Sequence, residues 1–172
     1  MSTAIHARTM ASYNRWQNEL VFAACETLTE DERRKDRGAF FRSIHGTLSQ
    51  ILWADHVWLA RFDIGSRPDV PKTESARYVE GWTDLWMRRQ ATDGDIDTLT
   101  AGLSDEAVAA DLRFFSGAAG KEIAMPVWIV LTHLFNHQTH HRGQVHAMLT
   151  AAGARTEDTD LFLMPRERWP RA

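Results

Sequence analysis

The sequence predicts an all-α protein, an up-down four-helix bundle with a small hairpin inserted before the last long helix. Four long segments place apolar residues at helical spacing, and only one short glycine-rich segment resembles a pair of strands. The chain has 172 residues, of which 44% are hydrophobic and 25% charged, as in ordinary soluble globular proteins. This length is enough for one sizeable core, so we expect a single domain over residues 1–172.

The four long helices are expected at about residues 3–28, 41–62, 74–92 and 126–152. In the second, apolar residues recur at alternating steps of four and three, with Asp55 as the one acidic member of the row. The third is expected to break or fray at residues 93–95, an Asp-Gly-Asp sequence. Pro126 suits the first turn of the fourth helix, and Gly153 suits the position just after its end.

The segment between the third and fourth helices has a different pattern. Residues 112–115 and 121–125 are expected to pair as a hairpin around the turn at 116–120, and a short helix is expected to begin at Ser104. Residues 155–172 are too apolar for a free tail, so they should pack back on the bundle.

The bulk charge and the cysteine content exclude several classes of protein. A net charge of −3 and a pI of about 6.2 argue against nucleic-acid binding, which needs a basic surface. Cys25 is the only cysteine, which excludes an intramolecular disulfide and a multi-cysteine zinc site. No apolar stretch approaches ~18 residues, and no signal peptide is evident, so we expect no membrane association and a cytoplasmic protein.

The richest local feature is a cluster of four histidines, His133, His137, His140 and His141. His137 and His141 are one helical turn apart, and two imidazoles at this spacing can bind one divalent metal ion. Such a pair is also common on ordinary helix surfaces, so both interpretations stay open on the spacing alone. Both residues lie at the edge of the apolar face, where a side chain can enter a bundle cavity. A third ligand would have to come from another helix.

The residues around this cluster match a known family signature. The sequence Asn-His-Gln-Thr-His-His-Arg-Gly-Gln at 136–144 resembles a motif of the DinB/YfiT family of proposed metalloenzymes. Residues 40–62 resemble the family's first motif, and the short sequences at 126–128 and 159–161 agree as well. The resemblance extends from about residue 10 to residue 164.

The resemblance implies a homodimeric four-helix bundle with a divalent metal, zinc or nickel, held by three histidines. Two of these map onto His137 and His141. The third maps onto position 50, which is Gln50 in this chain. His45 is a poor substitute, since it lies five residues earlier, about 7.5 Å along the helix axis and roughly 140° around it. We therefore predict a site formed by His137, His141 and Gln50 that binds metal weakly or not at all.

The function implied by the resemblance is that of a metal-dependent enzyme acting on a small molecule. It would be a thiol-dependent transferase, using a low-molecular-weight thiol, or a hydrolase. The alternative is a degenerate, metal-free member that binds small molecules or serves as a dimeric structural protein. No catalytic residue is identified. Asp55 is the one carboxylate expected to be buried, with Arg142 or a histidine as partner, and the tryptophans at 53, 58 and 128 either line a pocket or pack in the core.

Overall fold

Four long helices pack side by side in the structure, a computed structural model that describes residues 3–117 and 119–170. They are α1 (Thr3–Glu26), α3 (Ile44–Leu59), α4 (Trp82–Gly102) and α6 (Val127–Ala151). Two short helices, α2 (Glu30–Arg34) and α5 (Asp105–Ala109), lie in the connections, as do 3-10 turns at Ala60–Phe62, Lys72–Arg77, Leu161–Leu163 and Arg166–Arg168. The strands β1 (Asp111–Ser116) and β2 (Lys121–Pro126) complete the described elements. The predicted all-α bundle with a hairpin insertion is confirmed.

The two hydrophobic clusters show in which direction each long helix runs, because each cluster combines particular helix ends. One cluster joins the end of α1, the starts of α3 and α4, and the end of α6. The other joins the start of α1, the end of α3, the second half of α4 and the start of α6. The bundle therefore runs up, down, down, up, which differs from strict alternation because the long connection 60–81 carries the chain back along the bundle before α4. In space, α1 and α3 each pack against both α4 and α6.

The helix boundaries differ from the predicted ones for local reasons. Helix α3 begins at Ile44 because the side chain of Ser43 caps it, accepting a hydrogen bond of 3.0 Å from the Gly46 amide. Arg42, just before this cap, has a φ of 68° and cannot be part of the helix. The third predicted helix is divided, since residues 72–77 form a separate 3-10 turn and α4 starts at Trp82.

The break predicted at residues 93–95 is wrong, since α4 continues through them to Gly102. Aspartate disfavours helix interiors when its carboxylate bonds to nearby backbone. The carboxylate of Asp93 instead points into the bundle, where Arg89 lies 2.9 Å away and the Asn18 amide donates to it at 2.9 Å. A side chain engaged in this way does not compete with the helix.

The predicted hairpin is confirmed, with antiparallel pairing from Asp111↔Pro126 to Ser116↔Lys121. Its turn includes position 118, which lies outside the described residues, as do positions 1, 2, 171 and 172 of the predicted domain. The short helix at Ser104 is confirmed as α5, which that serine caps. The final segment packs on α1 as expected: Met164 is buried, and Arg168 pairs with Glu19 at 2.7 Å.

A layer of buried polar side chains crosses the middle of the bundle, between the two hydrophobic clusters. We call it the polar layer; its members are Asn14, Asn18, Asp55, Arg89, Asp93, Gln138 and Arg142. Arg89 pairs with both Asp55 and Asp93. Arg142 donates to Asn14, Asn18 and Gln138, whose oxygens are all neutral. The partner of Asp55 is thus Arg89 and not Arg142 or a histidine. Burial raises the pKa of Asp55 to about 6, against the opposing effect of Arg89.

Within residues 3–117 and 119–170, no helix is both long enough and apolar enough to cross a lipid bilayer.

The adjacent residues Arg88 and Arg89 offer a matched test of the polar layer. Arg89→Leu leaves Asp55 and Asp93 buried without their cation, so we expect it to lower the free energy of unfolding by about 3–5 kcal/mol. Arg88→Leu removes an exposed pair with Asp84 and a hydrogen bond to Tyr78, and should cost about 1 kcal/mol or less. Urea unfolding at pH 7 measures both, and equal losses would contradict this role of the polar layer.

Candidate metal centre

The packing of α3 against α6 brings Gln50, His137 and His141 together. Gln50 points out of α3 towards α6 and is only 3% exposed. Its Nε2 atom lies 3.4 Å from Nε2 of His137, a long hydrogen bond. The rings of His137 and His141 follow one turn apart on α6, with centroids separated by 4.6 Å. The three residues predicted from the sequence are therefore neighbours in the fold.

Gln144 orients the ring of His141. The Nδ1–H group of His141 donates to Oε1 of Gln144 at 2.8 Å, and Nε2 of Gln144 donates to His140 at 3.3 Å. Because an amide oxygen only accepts, Nδ1 of His141 carries the proton and Nε2 retains its lone pair. Metal-binding histidines are commonly held in this way, with the nitrogen that does not bind metal donating to a fixed oxygen.

Both imidazoles at the site are in the neutral form that binds metal. Burial, followed by the neighbouring histidines and Lys72, lowers the pKa of His137 to about 4. Burial also lowers the pKa of His141, although the bond to Gln144 opposes this effect. At neutral pH neither ring has to lose a proton before it can act as a ligand.

Two buried atoms at this contact have no hydrogen-bond partner among the described residues. They are Oε1 of Gln50 and Nδ1 of His137. Buried polar atoms are usually paired, so an unpaired oxygen beside an imidazole fits a position where an ion would bind. Two imidazole nitrogens and one amide oxygen suit zinc or nickel, although the neutral oxygen is a weaker donor than a third imidazole. In the described part of the chain, no three His, Cys, Asp or Glu residues are placed to hold a metal without Gln50.

The other histidines have different surroundings. His133 and His140 flank the site on its exposed side, as their spacing predicts; the ring of His133 lies 5.8 Å from that of His137. His45 hydrogen-bonds the Val79 carbonyl at 2.8 Å and is no ligand here. His56 bonds the Tyr78 hydroxyl at 2.9 Å and the Thr92 hydroxyl at 2.8 Å, on the side of α3 that faces α4.

Of the three tryptophans considered from the sequence, only Trp58 borders the histidine row. Its ring centroid lies 4.8 Å from that of His133. Trp53 donates to the Val70 carbonyl at 2.8 Å, and Trp128 lines a separate cavity with His6. The ring of Trp58 also supports a residue that the sequence analysis missed, Arg61, whose guanidinium stacks on it at 3.8 Å. The i, i+3 spacing of the two residues in a helical segment was the available signal.

His56 should make the stability of the protein dependent on pH. Burial, followed by Arg89 and Arg88, lowers its pKa to about 4, whereas an unfolded histidine has a pKa of ~6.5. Between these values the unfolded chain binds a proton that the folded protein does not. The free energy of unfolding therefore falls as the pH drops from ~6.5 to ~4.

Between pH 7 and pH 4.5, the free energy of unfolding should fall less in His56→Gln than in the wild type. We expect the difference to be on the order of 1–2 kcal/mol, after allowance for partial solvent screening. Urea unfolding at pH 7 and pH 4.5 measures the difference. His6→Gln, at an exposed position on α1, is the control. An unchanged pH dependence in His56→Gln would contradict the assignment.

Comparisons with known proteins agree with the fold and show the family of the chain. Residues 1–170 match the family model of the DinB family. The protein DinB of Bacillus subtilis strain 168 is 26% identical over 167 residues, covering 91% of this chain and 94% of the relative. The crystal structure of a DinB-like protein from Bacillus cereus ATCC 10987 superposes with a TM-score of 0.53 at 19% identity, over 83% of this chain and 89% of that one. The chain therefore belongs to the DinB family.

Proposed function

We propose that Gln50, His137 and His141 bind one divalent transition-metal ion, zinc or nickel, and that the protein is a metal-dependent enzyme acting on a small molecule. The observation that carries this proposal is the meeting of the buried Gln50 amide with His137 beside His141, with Oε1 of Gln50 unpaired. The expected reaction is thiol-dependent group transfer or hydrolysis. The homodimer expected from the family resemblance stays a prediction.

The chain's own residues prepare this site in two ways. Gln144 fixes the ring of His141, and the lone pair on Nε2 of His141 remains free. The burial of Gln50 and of much of His137 limits the access of water from the bundle side. His133, which is exposed, and Trp58 contact each other beside the site. When bound, a divalent ion with an open coordination position lowers the pKa of a bound water or thiol and polarises a carbonyl group.

One observation favours the alternative of a metal-free protein that binds small molecules. Gln50 already contacts Nε2 of His137 at 3.4 Å, so the amide can occupy the place that an ion would take. A direct side-chain contact of this kind stabilises the α3–α6 interface without any ligand. The bond is long and leaves an unpaired atom on each partner, so an ion competes with it at little cost.

Metal affinity measured on three variants distinguishes the two possibilities. We expect wild-type protein to bind one zinc ion weakly, His137→Ala/His141→Ala to lose this binding, and Gln50→His to raise the affinity roughly 10- to 100-fold. The double variant His6→Ala/His146→Ala, which removes two histidines elsewhere, should bind zinc as the wild type does. Competition with a chromogenic chelator gives the affinities.

Binding by Gln50→His alone would establish the metal-free alternative for the natural chain, and binding by neither would overturn the site. Zinc-dependent hydrolysis of 4-nitrophenyl acetate, or zinc-dependent transfer of 2-mercaptoethanol to 1-chloro-2,4-dinitrobenzene, then separates the hydrolase from the transferase. Neither activity should exceed background in the His137→Ala/His141→Ala protein.

A further inference from the structure

Arg61 is held in a fixed position at the end of α3. Its guanidinium carbon lies 3.8 Å from the centre of the Trp58 ring and 4.0 Å from the centre of the Phe114 ring. Trp58 belongs to α3 and Phe114 to β1, so the cation lies in the angle between a ring of the helix and a ring of the hairpin. The two rings are nearly perpendicular, at 78° with centroids 5.8 Å apart, so they contact the guanidinium from two adjacent sides and restrict its movement.

This cation has no counter-ion in the described part of the protein. No carboxylate lies within 4.0 Å of it, and its Nη1 atom is buried without a hydrogen-bond partner. Burial, followed by the charge of Arg67, lowers the pKa of Arg61 to about 10, so the group remains charged at neutral pH. The two cation–π contacts offset part of the desolvation of this half-buried guanidinium, but its Nη1 atom still lacks the acceptor that a buried polar atom usually has.

A row of ring contacts connects Arg61 to the candidate metal centre. Trp58, on which the guanidinium stacks, contacts His133 at 4.8 Å, and His133 lies 5.8 Å from His137. Burial, followed by the charge of Arg61, lowers the pKa of His133, so Arg61 acts electrostatically on this row of rings. Arg61 and the candidate metal centre thus lie along one row of contacting rings.

Two more cations lie along the same connection of the chain. Arg67 and Lys72 are exposed, and neither forms an ion pair with any described residue. Arg67 raises the positive electrostatic potential at Arg61, and Lys72 raises it at His137. Arg61 and Lys72 therefore bring positive charge, unpaired among the described residues, close to the histidines of this centre, and such charge attracts anions.

We propose that Arg61 binds an anionic group, a carboxylate or a phosphate, of the small molecule whose reacting end lies at the candidate metal centre. The planar guanidinium matches the oxygen pair of either group, and its charge discriminates against neutral analogues. This inference rests on the proposed function, since it names the class of substrate for the same site. It assigns Arg61 to substrate binding and to specificity, not to the chemical step.

Matched acid and ester ligands test the proposal by calorimetric titration of zinc-loaded protein. The probes are unbranched ω-mercaptocarboxylates of three to eight carbons and their methyl esters, which differ in charge but share the thiol. For at least one chain length we expect the acid to bind roughly tenfold more tightly than its ester. Arg61→Gln should remove this preference and leave the zinc affinity and the ester affinity unchanged, whereas Arg61→Lys should retain part of it.

The control variant is Arg155→Gln, which makes the same change of net charge at a side chain that is 90% exposed beyond the end of α6. It should keep the full preference for the acid. No preference at any chain length, or equal losses in Arg61→Gln and Arg155→Gln, would overturn the carboxylate assignment. Far-ultraviolet circular dichroism verifies that each variant is folded.

Inorganic phosphate titrated into metal-free protein tests the phosphate assignment independently of zinc. Saturable binding by the wild type and by Arg155→Gln, but not by Arg61→Gln, supports the anion site even where zinc fails to bind and the proposed metal centre is wrong. If zinc binds but Arg61→Gln behaves as the wild type towards both acids and phosphate, the anion site is wrong and the metal centre stands.

Discussion

The pairing of Arg89 with Asp55 and Asp93 is the constraint on which the rest of the bundle depends. Three charged side chains lie almost fully buried between two hydrophobic clusters that would otherwise accept many helix offsets. Apolar surfaces slide with little penalty, whereas a displaced carboxylate or guanidinium would lose its partner inside the protein. Together with Arg142 and the amides around it, this pairing sets the height of all four long helices relative to one another.

The fixed positions of the helices along the bundle axis determine where the candidate metal centre lies. On α6, Gln138 and Arg142 enter the polar layer, and each directly follows one of the two histidines in the sequence. Successive residues on a helix diverge by about 100°, so the histidines are directed to the edge of the same layer. On α3, Asp55 lies in the layer and Gln50 lies little more than one turn before it. The ion pairs of the polar layer thus determine how α3 and α6 are aligned where they meet.

Much of this arrangement could be predicted from the sequence, and the exceptions share a cause. Periodicity located the long helices, and the histidine spacing with the family motif picked out the two α6 residues of the candidate site, because both depend on residues close together in the chain. The continuity of α4 through Asp93 and the pairing of Asp55 with Arg89 depend on partners from other helices. The aromatic contacts of Arg61 were missed for the same reason, since Phe114 reaches it from the hairpin. Helix directions depended on the path of the connection 60–81, which no local pattern encodes.

That connection has a consequence for how such a bundle can change over evolutionary time. Because α3 and α4 run in the same direction, the chain must traverse the bundle between them, and it does so beside the histidines. It carries Arg67 and Lys72, and it is anchored by the bond from Trp53 to Val70. The entropic cost of closing a loop rises slowly with its length. Insertions and substitutions in this segment can therefore change the surroundings of the candidate site while the helices and their ion pairs remain as they are.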